Sequence, residues 1–346
     1  MQLIVTVEPS AASLPGWDEL VIGDGTELPS HDLWLSAKVL HVFEVFGNKA
    51  PQHVLARAKG TLVGGLATYR LDEHVTDRLM RLEGVFPGLD VLPARLVGGA
   101  YESRTGALTL PGLDEEARRQ VVGRLFAEAE DLARRNREPS VVCRCVDGRD
   151  ILIRDVLRDR GYREIPGPDH FILVPPPGGL DGYINSLSSR YRSTVRRELR
   201  KLKEGGVAVT VEPLTPDLIR TVVPLVINLR NKYDIDTDRD SISASLGLLR
   251  KTLKQSTYGV VARVGDRVVG FMELIVYRGN AWTRHAGFDY EASGTLPMYF
   301  GVLFYGVMDF AAEHGLRVLD YSYTAEDAKR SRGCEARTTI RLLKAV

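Results

Sequence analysis

The sequence predicts a mixed α/β fold arranged as two domains of similar size. Three observations predict it. The chain has 346 residues, which fits two domains on the usual scale of about 100–200 residues each. Proline and glycine crowd together midway, in Pro166-Gly167-Pro168 and then Pro175-Pro176-Pro177-Gly178-Gly179. That density ends regular structure and divides the chain into 1–178 and 179–346. Finally, each half carries the same hairpin pattern. Val54-Leu-Ala-Arg57, a turn and Leu62-Val-Gly64 match Val260-Val-Ala-Arg263, a turn and Val268-Val-Gly270 at a constant offset of 206 residues. An apolar strand, a polar glycine turn and a second apolar strand read as a β-hairpin. Its recurrence at corresponding points implies duplication.

The remaining elements follow in order. Asp114 can cap a helix with Glu115 and Glu116 in its first turn, running to about Asn136. A strand follows at Val141–Val146, then a helix Ile151–Arg160 stopped by Gly161. In the second half, Ser188 and Ser189 precede a basic helix, Arg190 to Lys203. Tyr191, Val195, Leu199 and Leu202 recur at helical spacing as its packed face. Arg192, Arg196 and Arg200 form a cationic stripe beside it: a solvated surface, or a face for RNA or a phosphorylated ligand. A helix over Pro297–His314 is apolar on almost every side and reads as core, closed by Gly315. A strand over Val318–Tyr323 ends the pattern, with Asp320 and Ser322 on one face and Leu319, Tyr321 and Tyr323 on the other.

Composition excludes several classes. Hydrophobic residues make up 44% and charged residues 26%, which excludes disordered and coiled-coil chains. The net charge of +1 gives no global argument for nucleic acid, so only local clusters can. Three cysteines, Cys143, Cys145 and Cys334, do not make a disulfide framework. Cys143-x-Cys145 lies in an apolar run without partner ligands, so no metal site is expected. No signal peptide opens the chain and no apolar stretch is long enough to span a bilayer. These features predict a cytoplasmic protein without membrane insertion.

Several motifs together resemble a known family. The hairpin Tyr258–Tyr277, followed by a strand and a long helix, resembles the core of GNAT acyltransferases. Tyr299 to Ala311, then His314-Gly-Leu316, Leu319-Asp-Tyr321 and Ala328-Lys-Arg-Ser-Arg-Gly333, resembles the Fem-like branch. The resemblance implies tandem GNAT-like acyltransferase domains, with the second half carrying the enzyme. It departs from ordinary GNAT enzymes where their acyl-CoA pyrophosphate is held. Arg284-His-Ala-Gly287-Phe-Asp289 places a carboxylate where that loop needs a small residue. Arg95-Leu-Val-Gly98-Gly-Ala100 matches the loop literally, but a strand-like stretch follows it.

Fem-like enzymes use aminoacyl-tRNA instead of acyl-CoA. The expected activity is therefore aminoacyl transfer from aminoacyl-tRNA, as co-substrate, to an amine, either a small natural-product amine or a cell-wall precursor. No other cofactor is expected. The alternatives are an acetyl-CoA-dependent GNAT N-acetyltransferase and a non-catalytic binding module.

Acyl transfer to an amine needs a proton acceptor and stabilisation of the carbonyl oxygen. Asp320, alone in an apolar strand, is a candidate base or acceptor-orienting group, or else a structural partner of an arginine. His285 and Tyr321 are further catalytic candidates. Arg192, Arg196, Arg200, Lys329 and Arg332 are candidates for donor phosphate. Trp282, Asp289, Tyr299 and Tyr323 are candidates for the acceptor pocket.

Overall fold

A computed structural model describes residues 1–10, 14–21, 33–46, 51–72, 91–98, 106–235 and 237–346. They form two compact units: Met1–Asp169 with Arg337–Val346, and His170–Ala336. Unit 1 runs β1 (Ile4–Glu8), α1 (Trp17–Leu20), α2 (Ala37–Phe46), β2 (His53–Ala58), β3 (Thr61–Leu66), β4 (Thr68–Leu71), β5 (Ala94–Val97), β6 (Leu108–Thr109), α3 (Glu115–Arg135), β7 (Ser140–Asp147), α4 (Ile151–Asp159) and β8 (Arg163–Pro166). Unit 2 begins with β9 (His170–Leu173), α5 (Gly179–Ser186), α6 (Ser189–Glu204), β10 (Val207–Pro213), α7 (Pro216–Lys232), α8 (Arg239–Leu253), β11 (Thr257–Val264), β12 (Arg267–Tyr277) and β13 (Asn280–Phe288). It continues through α9 (Tyr290–Ser293), α10 (Met298–Leu303), α11 (Met308–Glu313), β14 (Val318–Asp320), α12 (Glu326–Arg330) and β15 (Glu335–Arg337). The final strand, β16 (Thr339–Ala345), belongs to unit 1.

Unit 2 holds a seven-stranded sheet in the order β10-β11-β12-β13-β14-β9-β15. Unit 1 holds the same arrangement split into β1-β2-β3-β6 and β4-β5-β7-β16-β8. The hairpin repeat extends to the pairing itself. Ala56 pairs with Gly64 and Arg57 with Leu62, with a register shift between them; Ala262 pairs with Gly270 and Arg263 with Val268, with the same shift. A bulge conserved at the same offset is a far more specific match than the apolar letters.

Each sheet is closed by a strand from the other half of the sequence. β9 lies between β14 and β15, and β16 lies between β7 and β8. The division therefore falls at Asp169/His170, not after Gly178, and the last ten residues cross back to unit 1. The proline and glycine clusters mark the ends of β8 and β9. Every residue of β9 is buried, so removing it would open the core of unit 2.

Local expectations hold where the signal was local. Asp114 accepts the Ala117 amide at 2.7 Å, and Gly161 and Gly315 take positive φ after their helices. Val195 and Leu202 are buried on α6, with Tyr191 and Leu199 packed at the edge of the same core. All three cysteines are buried and unbridged. The helix expected over Pro297–His314 is interrupted by a 3₁₀ turn at Tyr305–Val307. There Gly306 packs so tightly against Val209 of β10 that a Cβ would lie 2.3 Å from its methyl. The strand expected over Val318–Tyr323 stops at Asp320 because Ser322, Thr324 and Ala325 all take positive φ.

Candidate active site on unit 2

The two faces of the unit 2 sheet have different coverings. Val260, Ala262, Met272, Leu274, Ala281, Leu319 and Tyr321 pack with α10, α11, α5 and α6. Val261 and Phe271 pack with α7 and α8. Side chains alternate along a strand, so Trp282 and Asp320 lie on the α7–α8 face. β13 and β14 are parallel neighbours for only three pairs, ending at Trp282 and Asp320. β13 then continues to Phe288 while β14 ends. The Thr283 hydroxyl donates to the Asp320 carbonyl at 3.1 Å and marks the last tie before the fork. The carboxyl ends of parallel strands, where neighbours part, are a general place for ligands in α/β sheets.

A row of ionisable groups crosses this face. Opposite Glu273, β13 carries one extra residue: Met272 pairs with Ala286 and Leu274 with Thr283. The bulge sets both Arg284 and His285 against Glu273. Glu273 is fully buried and neither carboxylate oxygen has a hydrogen-bond donor; Arg284 Nη1 stands 3.8 Å away. Burial pushes Glu273 up to about 7, and the Arg284 charge only partly opposes this. His285 lies 3.4 Å from the Ser245 hydroxyl of α8. Burial, then the charges of Arg284 and Arg230, hold its imidazole well below the usual histidine range, so it is neutral. Past Trp282, Asp320 meets the His170 imidazole at 2.7 Å, and its other oxygen accepts the Ser322 amide at 2.8 Å. Such an arrangement can take up a proton and orient an amine beside the fork.

Unit 1 keeps the geometry of this row without its chemistry. The 206-residue offset places Ala67 at the position of Glu273, where unit 1 also breaks its strand between β3 and β4. Thr68 pairs with Val97 as Leu274 pairs with Thr283, so Val97 stands for Thr283. Leu96 pairs with Val142 as Trp282 pairs with Asp320, so Val142 stands for Asp320. A polar side chain in unit 2 is apolar in unit 1 at each of these three positions.

The residues expected from the sequence scatter in role. Asp320, His285 and Trp282 fall together on the row. Tyr321 does not: its hydroxyl donates to the Leu303 carbonyl at 2.9 Å and its ring stacks on Phe304 in the core. Tyr323 is turned away from Tyr321 by the positive φ of Ser322 and lies edge-on to His170, 4.8 Å between centroids. Lys329 is buried instead of lying on a solvated turn. Its ammonium donates to the carbonyls of Tyr321 at 2.6 Å, Ser322 at 3.1 Å and Tyr323, clamping the strained turn. Burial pushes Lys329 down to about 8.

Arg332 is buried too. It grips both oxygens of Glu198 at 2.8 and 2.7 Å and lies 3.8 Å over the Phe300 ring. Arg332 thus ties α6 to the core and is not available to phosphate. Arg192 folds back on the carbonyls of Asn185 and Leu187, leaving the stripe. Arg196 and Arg200 stay exposed, joined by Arg197, Lys201 and Lys203. Asp289 caps α9 by accepting the Ala292 amide and pairs with Arg267. Tyr299 is half-buried against Phe288 and Phe300. In unit 1, Arg95 of the literal loop match is fully buried on Glu138, and Gly99 and Ala100 lie outside the described residues.

Glu273, Arg284 and His170 were not among the sequence candidates. Glu273 had a readable signal: a carboxylate amid Phe271-Met-Glu-Leu-Ile275 where the repeat has Ala67. His170 lies 150 residues from Asp320 and had none. Among the described residues, no group of three or more His, Cys, Asp or Glu side chains is placed to hold a metal ion, and no helix is long and apolar enough to cross a membrane.

Comparison with known proteins agrees with this architecture. Residues 189–330 match the acetyltransferase (GNAT) domain family. The chain is similar in structure to FemX (TM-score 0.66, 14% identity, 100% of this chain and 98% of that one). It is also similar to a tandem GNAT protein from the clavulanic acid biosynthesis pathway (TM-score 0.58, 15% identity, 99% and 98%). A third is L-PGS from Bacillus licheniformis (TM-score 0.55, 12% identity, 93% of each chain). No curated protein matches by sequence. Residues 189–330 therefore match the acetyltransferase (GNAT) domain family, and the chain as a whole has the Fem-like tandem GNAT fold.

Proposed function

We propose that unit 2 transfers an aminoacyl group from aminoacyl-tRNA to an amine acceptor, a small natural-product amine or a cell-wall precursor. The observation that carries the reading is the contrast between the halves. Glu273, Thr283 and Asp320 occupy positions that are Ala67, Val97 and Val142 in the duplicated fold. A buried ionisable group costs stability unless it is paired and hydrogen-bonded, and such groups with perturbed ionisation cluster at functional sites.

In the proposed reaction, the acceptor nitrogen attacks the ester carbonyl and forms the new C–N bond. The amine proton passes to the Asp320–His170 pair. The ester C–O bond breaks, and the ribose oxygen leaves with a proton. Backbone N–H groups on the β13 edge beyond Trp282, which β14 no longer pairs, would steady the carbonyl oxygen as charge develops. His285, held neutral, would orient the acceptor together with Trp282.

Two features favour tRNA over acyl-CoA. Asp289 already fills the first turn of α9, so a carboxylate sits where a pyrophosphate would need N–H groups. The exposed cations of α6, Arg196, Arg197, Arg200, Lys201 and Lys203, suit a nucleic-acid backbone. The test is donor turnover. Purified protein is incubated with charged tRNAs plus an amine panel and, separately, with acetyl-CoA. Amide formation from a charged tRNA is expected. Turnover of acetyl-CoA alone would replace this reading with the acetyltransferase, and turnover of neither with the binding module.

A further inference from the structure

Among the described residues, the aromatic side chains left exposed are Tyr233, at 62%, and Tyr290, at 39%. Both are in unit 2, and Tyr233, the residue that caps α7, directly follows Lys232, whose ammonium reaches the Tyr290 ring. Tyr290 opens α9, directly after the carboxyl end of β13. Lys232 stands 4.7 Å from the centroid of the Tyr290 ring. Behind the surface, Tyr290 contacts Phe288 at 6.3 Å and Phe288 contacts Tyr299 at 6.0 Å, so the exposed ring is backed by packed rings.

Exposed aromatic rings with apolar backing and a neighbouring cation are the ordinary means of holding single-stranded bases. Asp234, Asp289 and Glu291 flank the rings, so a phosphate is not favoured beside them; a base is, with its backbone led toward Lys232 and toward cationic α6, whose end at Gly205 touches Leu296 between α9 and α10. We infer that Tyr233 and Tyr290, with Lys232, form a stacking platform for a nucleobase in the nucleotide handle of the acyl donor. The identity of that donor rests on the acyl-transfer reading above; the platform itself does not.

Span constrains which base it takes. Tyr290 lies just past the end of β13 at Phe288, six residues and about 20 Å along the strand from Trp282. That is too far for the nucleotide that bears the acyl group while the group sits at the fork. The platform takes either a base further along a single-stranded RNA end or the adenine of coenzyme A, held at the far end of a long arm.

Binding of two probes without an acyl group tests this on the full chain. One is a single-stranded RNA oligonucleotide with the tRNA 3′-end sequence; the other is coenzyme A. Tyr290→Ser and Tyr233→Ser should each weaken one probe about tenfold, the scale of one lost stack. Tyr290→Trp should keep that affinity. The slope of affinity against salt should stay as in the wild type, whereas Arg196→Ala with Arg200→Ala should flatten it for RNA. The probe that responds identifies the handle. Wild-type affinity in both serine variants for both probes, or no binding of either probe to wild type, overturns the platform. Because neither probe can react, loss of transfer with the platform intact refutes the proposed function alone, and the reverse refutes the platform alone.

Discussion

Replacing Glu273 by Gln should change how stability depends on pH, in a direction that burial dictates. The carboxyl is lifted from 4.5 to about 7 because burial penalises its charged form more than the Arg284 charge and the His285 backbone amide favour it. Between those values the native protein holds a proton that the unfolded chain has released. The wild type therefore loses stability as pH rises through this window. The full effect is about 3 kcal/mol, of which about 2.5 kcal/mol falls between pH 5 and pH 8. Gln has no proton to lose. The stability of Glu273→Gln relative to wild type should thus rise by about 2.5 kcal/mol from pH 5 to pH 8. His285 is held neutral in the folded protein, so its imidazole titrates in this range only in the unfolded chain, alike in both proteins, and cancels in the difference. Urea unfolding at the two pH values, followed by Trp282 emission with Trp17 and Trp34 replaced by Phe, measures it. A difference that is constant with pH would mean that Glu273 ionises normally and is not held in a dry site.

Two further outcomes follow from the fold. Lys329→Met removes the donor that three carbonyls share, and should cost about 1–3 kcal/mol in the same unfolding experiment; unchanged stability would remove the clamp from the account. A fragment 179–346 lacks β9 and leaves β14 and β15 without the strand between them, while 1–178 lacks β16. Neither should show a cooperative melt by circular dichroism when made alone, and a cooperative melt of 179–346 would contradict the strand exchange.

The parts legible in the sequence were those set by near neighbours. The hairpin letters at a 206-residue offset carried through to an identical bulge because the turn and the glycine fix the register locally. The caps at Asp114 and Gly315 and the packed face of α6 were legible for the same reason. The strand exchange was not, since nothing in His170–Leu173 or Thr339–Ala345 specifies which sheet receives it. Lys329 and Arg332 read as candidates for donor phosphate because the carbonyls that hold Lys329 converge only through the positive φ of the turn after Asp320, and Glu198 comes from α6, 134 residues away. Asp320 stood out as a carboxylate in an apolar strand, but its partner His170 comes from the other half of the chain.

Asp320 carries the proposed proton transfer. Single-turnover acyl transfer by Asp320→Asn, with donor affinity and melting temperature measured on the same protein, tests it most directly. Loss of proton acceptance at the fork should slow transfer about 10²–10⁴-fold while donor affinity stays at the wild-type value. A transfer rate within about threefold of wild type, or about 0.6 kcal/mol, would contradict the assignment of the reaction to this end of β13 and β14.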